Sequence, residues 1–271
     1  MQKLQIYCSS IKYFKILDDL PECITPIGLG DHNFPANWIT EKKGKNISNL
    51  NPYYGEMTAL YWLWKNKIDA LNKDDLIGNC HYRKFWLDKL YDTKQKKSFD
   101  NLYSHLLKDR NNFLNDYETV QVQPIIFKSK TILNDFDEIH GKSILENCIQ
   151  FLDLEIQKKF RENLNSNVLY PLNMFITKVH LFNNYCEVIF PWLEKCFDYC
   201  KNKNLLNNYN TRLPAFLAER FTSFWFSEYS SCANLSYARI GNFFLSNNVN
   251  KILNPTKLPF TFRMYPTIHK Y

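Results

Sequence analysis

Glycine is scarce here, seven residues in 271, and no three of them share the G-x-G-x-x-G spacing that opens a dinucleotide-binding helix. The single G-x-G, Gly28-Leu29-Gly30, runs into Asp31-His32 with no third glycine, so it makes at most a minor phosphate loop of its own. Low glycine beside 45% hydrophobic residues excludes a disordered chain and implies a packed core. Also missing is any run of ~18 uncharged apolar residues, so no membrane-crossing helix is expected. The opening MQKLQIYCSS is strand-like and lacks the long apolar centre of a secretion signal. None of the eight cysteines forms a C-x-x-C pair or a Cys/His set with zinc-ligand spacing. Most lie among apolar residues, where a free thiol behaves as a small hydrophobe, which implies a reducing compartment without disulfides. The sequons at Asn46 and Asn234 then carry no weight, and neither internal repeats nor low-complexity segments occur.

Aromatics, by contrast, reach 16%, and the formal charge is +7. A modest positive excess fits a phosphorylated small molecule, an anionic membrane surface or nucleic acid. Nucleic acid is disfavoured, because the basic residues are spread along the chain and no RRM, KH or helix-turn-helix signature is present. The length suits one large α/β domain over 1–271, with a ligand-binding half at 1–127 and a mainly helical half and tail at 128–271.

In order, the pattern predicts strands at Lys3–Cys8, Cys23–Ile27 and Asp75–Asn79, then a strand within Glu118–Phe127 interrupted at Pro124, and another within Tyr170–Thr177. Helices are expected from Asn51 to Asn66, within Ile132–Leu164 in one or two pieces, over Val179–Tyr199 with a bend at Pro191, and over Pro214–Tyr229. Tyr91–Asn112 is polar, lysine-rich and expected to be partly helical. The proline-bearing tail from Asn247 is expected to wrap the surface.

The stretch Lys45–Trp86 organises the rest. Asn51 reads as an N-cap with Pro52 at the first helical position. The helix that follows carries Glu56 and Thr58 among Tyr, Trp and Leu, so most of its circumference must be buried. The strand at Asp75 then delivers Cys80-His81-Tyr82-Arg83-Lys84 at its carboxyl end, where open α/β sheets place ligands. Glu56, costly to bury alone, either pairs with a basic residue or touches ligand. Thr58, Tyr61 and Lys65 share one helical face. Asn173 either binds hydroxyls of a ligand or caps backbone groups. Glu219 and Arg220, adjacent in an aromatic helix, either bridge to another segment or face the cleft.

These residues carry a resemblance. N-P-Y-Y-x-E-x-T-A-L-Y-W-x-W-K-N (Asn51–Asn66) followed by G-x-x-H-Y-R-K-F (Gly78–Phe85) resembles a bacterial family of glycosyltransferases encoded in capsule, O-antigen and exopolysaccharide loci. The likeness continues through N-M-F-I at Asn173, Y-C-E-x-x-F-P at Tyr185 and F-L-A-E-R at Phe216, in order and over most of the chain. One place departs from the pattern: the acidic pair before G-x-N-I-S is replaced by Thr40-Glu41-Lys42-Lys43.

What the resemblance implies is a transferase that moves a sugar, with a lean toward a UDP-linked hexose such as galactofuranose or galactose, onto a growing surface glycan. The implied fold is similar to the GT-A type, a single Rossmann-like domain with additional C-terminal helices. There a strand usually ends in Asp-x-Asp and holds a divalent metal on the diphosphate. Here it ends in Cys-His-Tyr-Arg-Lys, which implies that cations of the chain replace the metal and no cofactor is required. Arg83 offers a bidentate fork, Lys84 a point charge, and His81 a hydrogen bond or an acid. Tyr82, Glu56, Thr58, Asn46, Arg220 and Asn173 complete the implied donor-binding set. Glu219 is the implied base for the acceptor hydroxyl, with Asp31 as runner-up. Expected partners are a nucleotide-sugar and a glycan or lipid-linked glycan. The expected location is the cytoplasm, with weak peripheral attachment to the inner membrane through lysines and aromatics of Tyr91–Asn112 or the tail. A non-catalytic subunit of a polysaccharide assembly complex is the alternative.

Overall fold

The computed structural model describes residues 3–88, 98–99, 105–109, 116–239 and 260–261. Two parallel strands open the chain, β1 (Leu4–Ser10) and β2 (Ile24–Gly28), followed by the short β3 (Ile39–Thr40). Helices α1 (Asn51–Tyr54) and α2 (Met57–Asn66) come next, then β4 (Leu76–His81) and β5 (Lys84–Trp86). After β6 (Ser98–Phe99), the strands β7 (Thr119–Val122) and β8 (Ile125–Ile126) lead into α3 (Ile132–His140), α4 (Ile144–Ile149) and α5 (Leu154–Leu164). The chain continues through β9 (Val168–Leu169), β10 (Phe175–Lys178), α6 (Val179–Asn202), α7 (Leu213–Tyr229), β11 (Cys232–Leu235), β12 (Tyr237–Arg239) and β13 (Phe260–Thr261).

The main sheet has the order β3-β2-β1-β4-β10-β7-β11, with β5 and β12 added beside β4. Along that path every strand runs parallel except β10, which is antiparallel to both neighbours. Alternation along the central strands feeds two cores. Tyr7, Ile77 and Phe175 point to a helical face packed by α2 and α3–α7, while Ile6, Cys8, Cys80 and Ile176 meet Trp38, Phe85 and Trp86 on the other. Asn79 ties the reversed strand in place. Its amide donates to the carbonyl of Asn173 at 2.6 Å and accepts from the N–H of Phe175 at 3.0 Å.

Several boundaries differ from expectation, each for a local reason. The first helix breaks at Gly55, whose φ of 54° and ψ of −131° suit glycine and little else. Asn51 does not cap. Its side chain donates instead to the Gly55 carbonyl and to Thr58 Oγ1, at 3.0 and 3.1 Å, and so braces the break. Ile132–Leu164 forms three helices, divided at Gly141 and at the 150–153 connection. Helix α6 runs on through Pro191 to Asn202. Sequence reading missed β3, β5, β6, β9, β11, β12 and β13. All eight thiols are free. No helix among the described residues is long and apolar enough to cross a membrane. Most of Tyr91–Asn112 and of the tail from Asn247 lies outside the described residues.

Candidate active site

A cavity of about 470 Å³ opens at the carboxyl ends of β1 and β4, the adjacent parallel strands at the middle of the sheet. Ser9 of β1 and Leu29 beyond β2 form its floor with His81. One wall is the β4–β5 hairpin, where His81 pairs with Lys84 and Tyr82-Arg83 make the tip. The lining also includes Asn51, Gly55 and Glu56, then Arg212 before α7 and Phe216 and Glu219 in its first two turns. Parallel strands that diverge at their carboxyl ends leave a crevice, and the helices between them supply its walls.

The wall residues are held by one short turn. Leu172 and Asn173 both adopt positive φ, 84° and 49°, a strain that non-glycine residues tolerate only when their surroundings fix them. From that turn the Leu172 N–H donates to Glu219 Oε1 at 2.7 Å, while the Leu172 carbonyl takes a hydrogen bond from His81 Nε2 at 2.9 Å. The Asn173 amide donates to Glu56 Oε1 at 2.9 Å and accepts from Thr222 at 3.1 Å. Side chains from β4, from the Gly55 break and from α7 thus converge on two adjacent residues, His81 and Glu219 on the Leu172 backbone and Glu56 on the Asn173 side chain.

Glu56 has a second partner, since the Arg212 guanidinium donates to its Oε2 at 3.2 Å. Burial alone would raise its pKa; the Arg212 charge and the Asn173 hydrogen bond, joined by His81 where that ring is protonated, outweigh it, so the Glu56 pKa lies below its ordinary value. Gly55 makes this pair possible. A Cβ there would fall on the Arg212 guanidinium, and the backbone conformation already favours glycine. His81 moves the other way. Burial, with Lys84 and Arg212, overrides Glu56 and the Leu172 carbonyl and brings its pKa to about 4, so the ring is neutral. Because a carbonyl only accepts, the Nε2–H is committed to Leu172 and Nδ1 remains an acceptor. Lys84 is shifted down by burial, opposed by Glu56 and Glu219 and reinforced by Arg239 and Arg83.

Of the residues expected at the site, His81, Tyr82, Arg83, Lys84, Glu56, Asn173 and Glu219 line this cavity. Four do not. Asp31 is exposed and ion-paired with Lys42. The Asn46 side chain closes its own loop on the carbonyls of Lys42 and Gly44. Thr58 is fully buried and donates to the Gly55 carbonyl. Arg220 is buried behind the wall, bonded to Asp135 at 2.9 Å and to Glu219, so it anchors that carboxylate from behind. Sequence reading overlooked Arg212, which sits in a polar run of asparagines without periodicity. It also overlooked Phe216, which the F-L-A-E-R motif contained.

Glu56 and Glu219 are each engaged by an arginine and an amide N–H, and no group of three or more His, Cys, Asp or Glu able to hold an ion occurs among the described residues.

Over 89% of the chain, the fold is similar to the apo structure of WbbM, a bifunctional glycosyltransferase, with a TM-score of 0.71 at 20% identity. The chain spans 46% of that protein's length, about half. The likeness is one of architecture, a central, largely parallel sheet with helices packed on it. No curated protein matches the chain significantly. The model of the domain of unknown function DUF4422 matches residues 5–230, and the chain belongs to that family.

Proposed function

We propose that this protein is a glycosyltransferase that uses a nucleoside-diphosphate sugar, with UDP-galactose or UDP-galactofuranose the favoured donors, to extend a surface glycan. The observation that carries the reading is the gathering of Arg83, Lys84 and Arg212 around one cavity at the carboxyl ends of β1 and β4. A departing diphosphate gains negative charge as its bond to the sugar breaks, and preorganised cations in a partly dry cavity stabilise that charge more than they stabilise the intact donor. Arg83 and Arg212 supply planar forks for phosphate oxygens, and Lys84 a point charge.

On the other wall Glu219 takes the acceptor's proton. The acceptor hydroxyl oxygen attacks the anomeric carbon while the carbon–oxygen bond to the diphosphate breaks. The hydroxyl proton passes to the Glu219 carboxylate, and the nucleoside diphosphate leaves with the bonding pair. Glu219 keeps its orientation through the Leu172 N–H and Arg220. The acceptor is lipid-linked in this reading, and the positive charge of the chain supports weak attachment to an anionic membrane surface.

The test is turnover of a nucleotide-sugar panel, with and without chelator, by wild type, Arg83→Ala and Arg83→Lys. Removing one preorganised charge should cost ~3 kcal/mol, on the order of a hundredfold in rate, with partial rescue by lysine. Near-normal turnover in Arg83→Ala, or loss of wild-type activity in EDTA, would overturn the assignment. Failure of every donor to turn over would favour a non-catalytic assembly subunit.

A further inference from the structure

Beside the cavity mouth lies an aromatic surface that the leaving-group chemistry does not use. Tyr209 is 65% exposed, an unusual position for a large ring. It is nonetheless fixed. His140 stacks with it at 5.7 Å and 6°, and Phe216 at 5.0 Å and 25°, while those two rings lie 4.5 Å apart. Asn210 clamps the arrangement from both sides, its Oδ1 meeting His140 Nδ1 at 2.9 Å and its amide donating to the His140 carbonyl at 2.8 Å. Burial lowers the His140 pKa, more than the Asn210 bond opposes it, so the ring beneath is a neutral one.

This surface is continuous with the cavity. Phe216 lines the cavity and stacks on Tyr209. Tyr209 and Arg212 belong to one 3-10 turn, Asn208–Arg212, in which residues three apart eclipse on the same side. Arg212 reaches into the cavity to Glu56, and Tyr209 stands one turn away, ~6 Å along the same side. Ile11, 40% exposed, also lines the cavity.

We infer that the Tyr209–Phe216 ledge is a sugar-binding subsite that seats a pyranose ring of the glycan acceptor against the cavity mouth. A pyranose presents a flat face of C–H groups that packs on an aromatic ring, while its hydroxyls stay in water or find a polar neighbour. A rigid, outward-facing tyrosine meets that need without an ordering cost. The hydroxyls of such a ring would lie beside Arg212 and the Asn208–Arg212 turn. The acceptor identity rests on the transferase reading above; the affinity of the ledge for a pyranose does not.

The experiment is saturation-transfer NMR on the full chain with methyl pyranosides of galactose, glucose and N-acetylglucosamine, beside melting curves with UDP. At least one pyranoside should receive saturation, strongest at its axial C–H protons. Tyr209→Ala should weaken that binding roughly tenfold, and Tyr209→Phe, which keeps the ring, should retain it. Unaltered melting of both variants would show that the fold is intact. No saturation transfer to any pyranoside, or unchanged transfer in Tyr209→Ala, would overturn the subsite. If UDP and other nucleoside diphosphates fail to stabilise the wild type while the pyranoside signal obeys Tyr209, the donor reading falls and the ledge stands.

Discussion

Asn173 holds Glu56: its side-chain amide donates to Glu56 Oε1 at 2.9 Å across 117 positions of sequence. The residue is buried, sits at φ 49°, and also bonds Thr222, so one amide fixes the carboxylate and pins the strained turn. Asn173→Ala should leave Glu56 short of a donor and put a Cβ-only residue in the left-handed region, costing about 1–3 kcal/mol. Asn173→Gly should relieve the backbone while still losing all three side-chain bonds, to Glu56, to the Ala215 carbonyl and from Thr222. Chemical denaturation of both variants would separate the two contributions. Equal stability of Asn173→Ala and wild type would contradict this role.

Arg212 should matter for turnover far more than for folding. Its side chain is 51% exposed, and ion pairs with so much solvent contribute about 0–1 kcal/mol. Arg212→Ala should therefore melt near the wild type yet lose on the order of a hundredfold in kcat. Gly55→Ala should lower both, because it strains the break between α1 and α2 and displaces the guanidinium.

Glu219 and Arg220 should separate cleanly. Glu219→Gln keeps an acceptor for the Leu172 N–H but is no base, so sugar transfer should fall about 10²–10⁴-fold while nucleotide binding persists. Arg220→Ala removes the cation shared by Asp135 and Glu219 and should cost about 3–5 kcal/mol of stability. Transfer by Glu219→Gln near the wild-type rate would reassign the base.

Glu41 predicts a pH dependence. It is fully buried, with Oε1 on the Gly30 N–H at 2.7 Å and Oε2 without a partner. Burial raises its pKa above the ordinary 4.5, against the Gly30 hydrogen bond and the charge of Lys42. The folded state thus keeps a proton that the unfolded chain has already released, so stability falls as pH rises from the ordinary value through the folded one. Glu41→Gln should remove that slope and raise the melting temperature at neutral pH. A parallel pH profile for variant and wild type would count against it.

The sequence disclosed strands and motifs better than it disclosed loops. β1, β2 and β4 were legible because apolar runs end in polar residues, and the Cys80–Lys84 segment followed from where β4 stops. The hairpin was not legible, since Lys84-Phe85-Trp86 reads as a simple continuation of the same stretch. Asp31 and Asn46 misled because a loop beside the site can turn outward, and their own local hydrogen bonds and ion pair take them there. Arg212 was invisible for a related reason: a non-periodic run of asparagines gives no face on which to place it. Arg220 shows the limit of motif reading, which finds the right pair but not which member faces the cleft.

The central claim is that cations of the chain hold a nucleoside diphosphate without a metal. Calorimetric titration of UDP, GDP and CDP into the purified protein in EDTA tests it most directly, with Arg83→Ala and Arg212→Ala alongside. At least one nucleotide should bind the wild type, and each substitution should weaken it by a factor of roughly ten or more, since a hydrogen bond to a charged group contributes about 1.5–3 kcal/mol. Absence of binding by all three in EDTA, or binding indifferent to both arginines, would contradict the account.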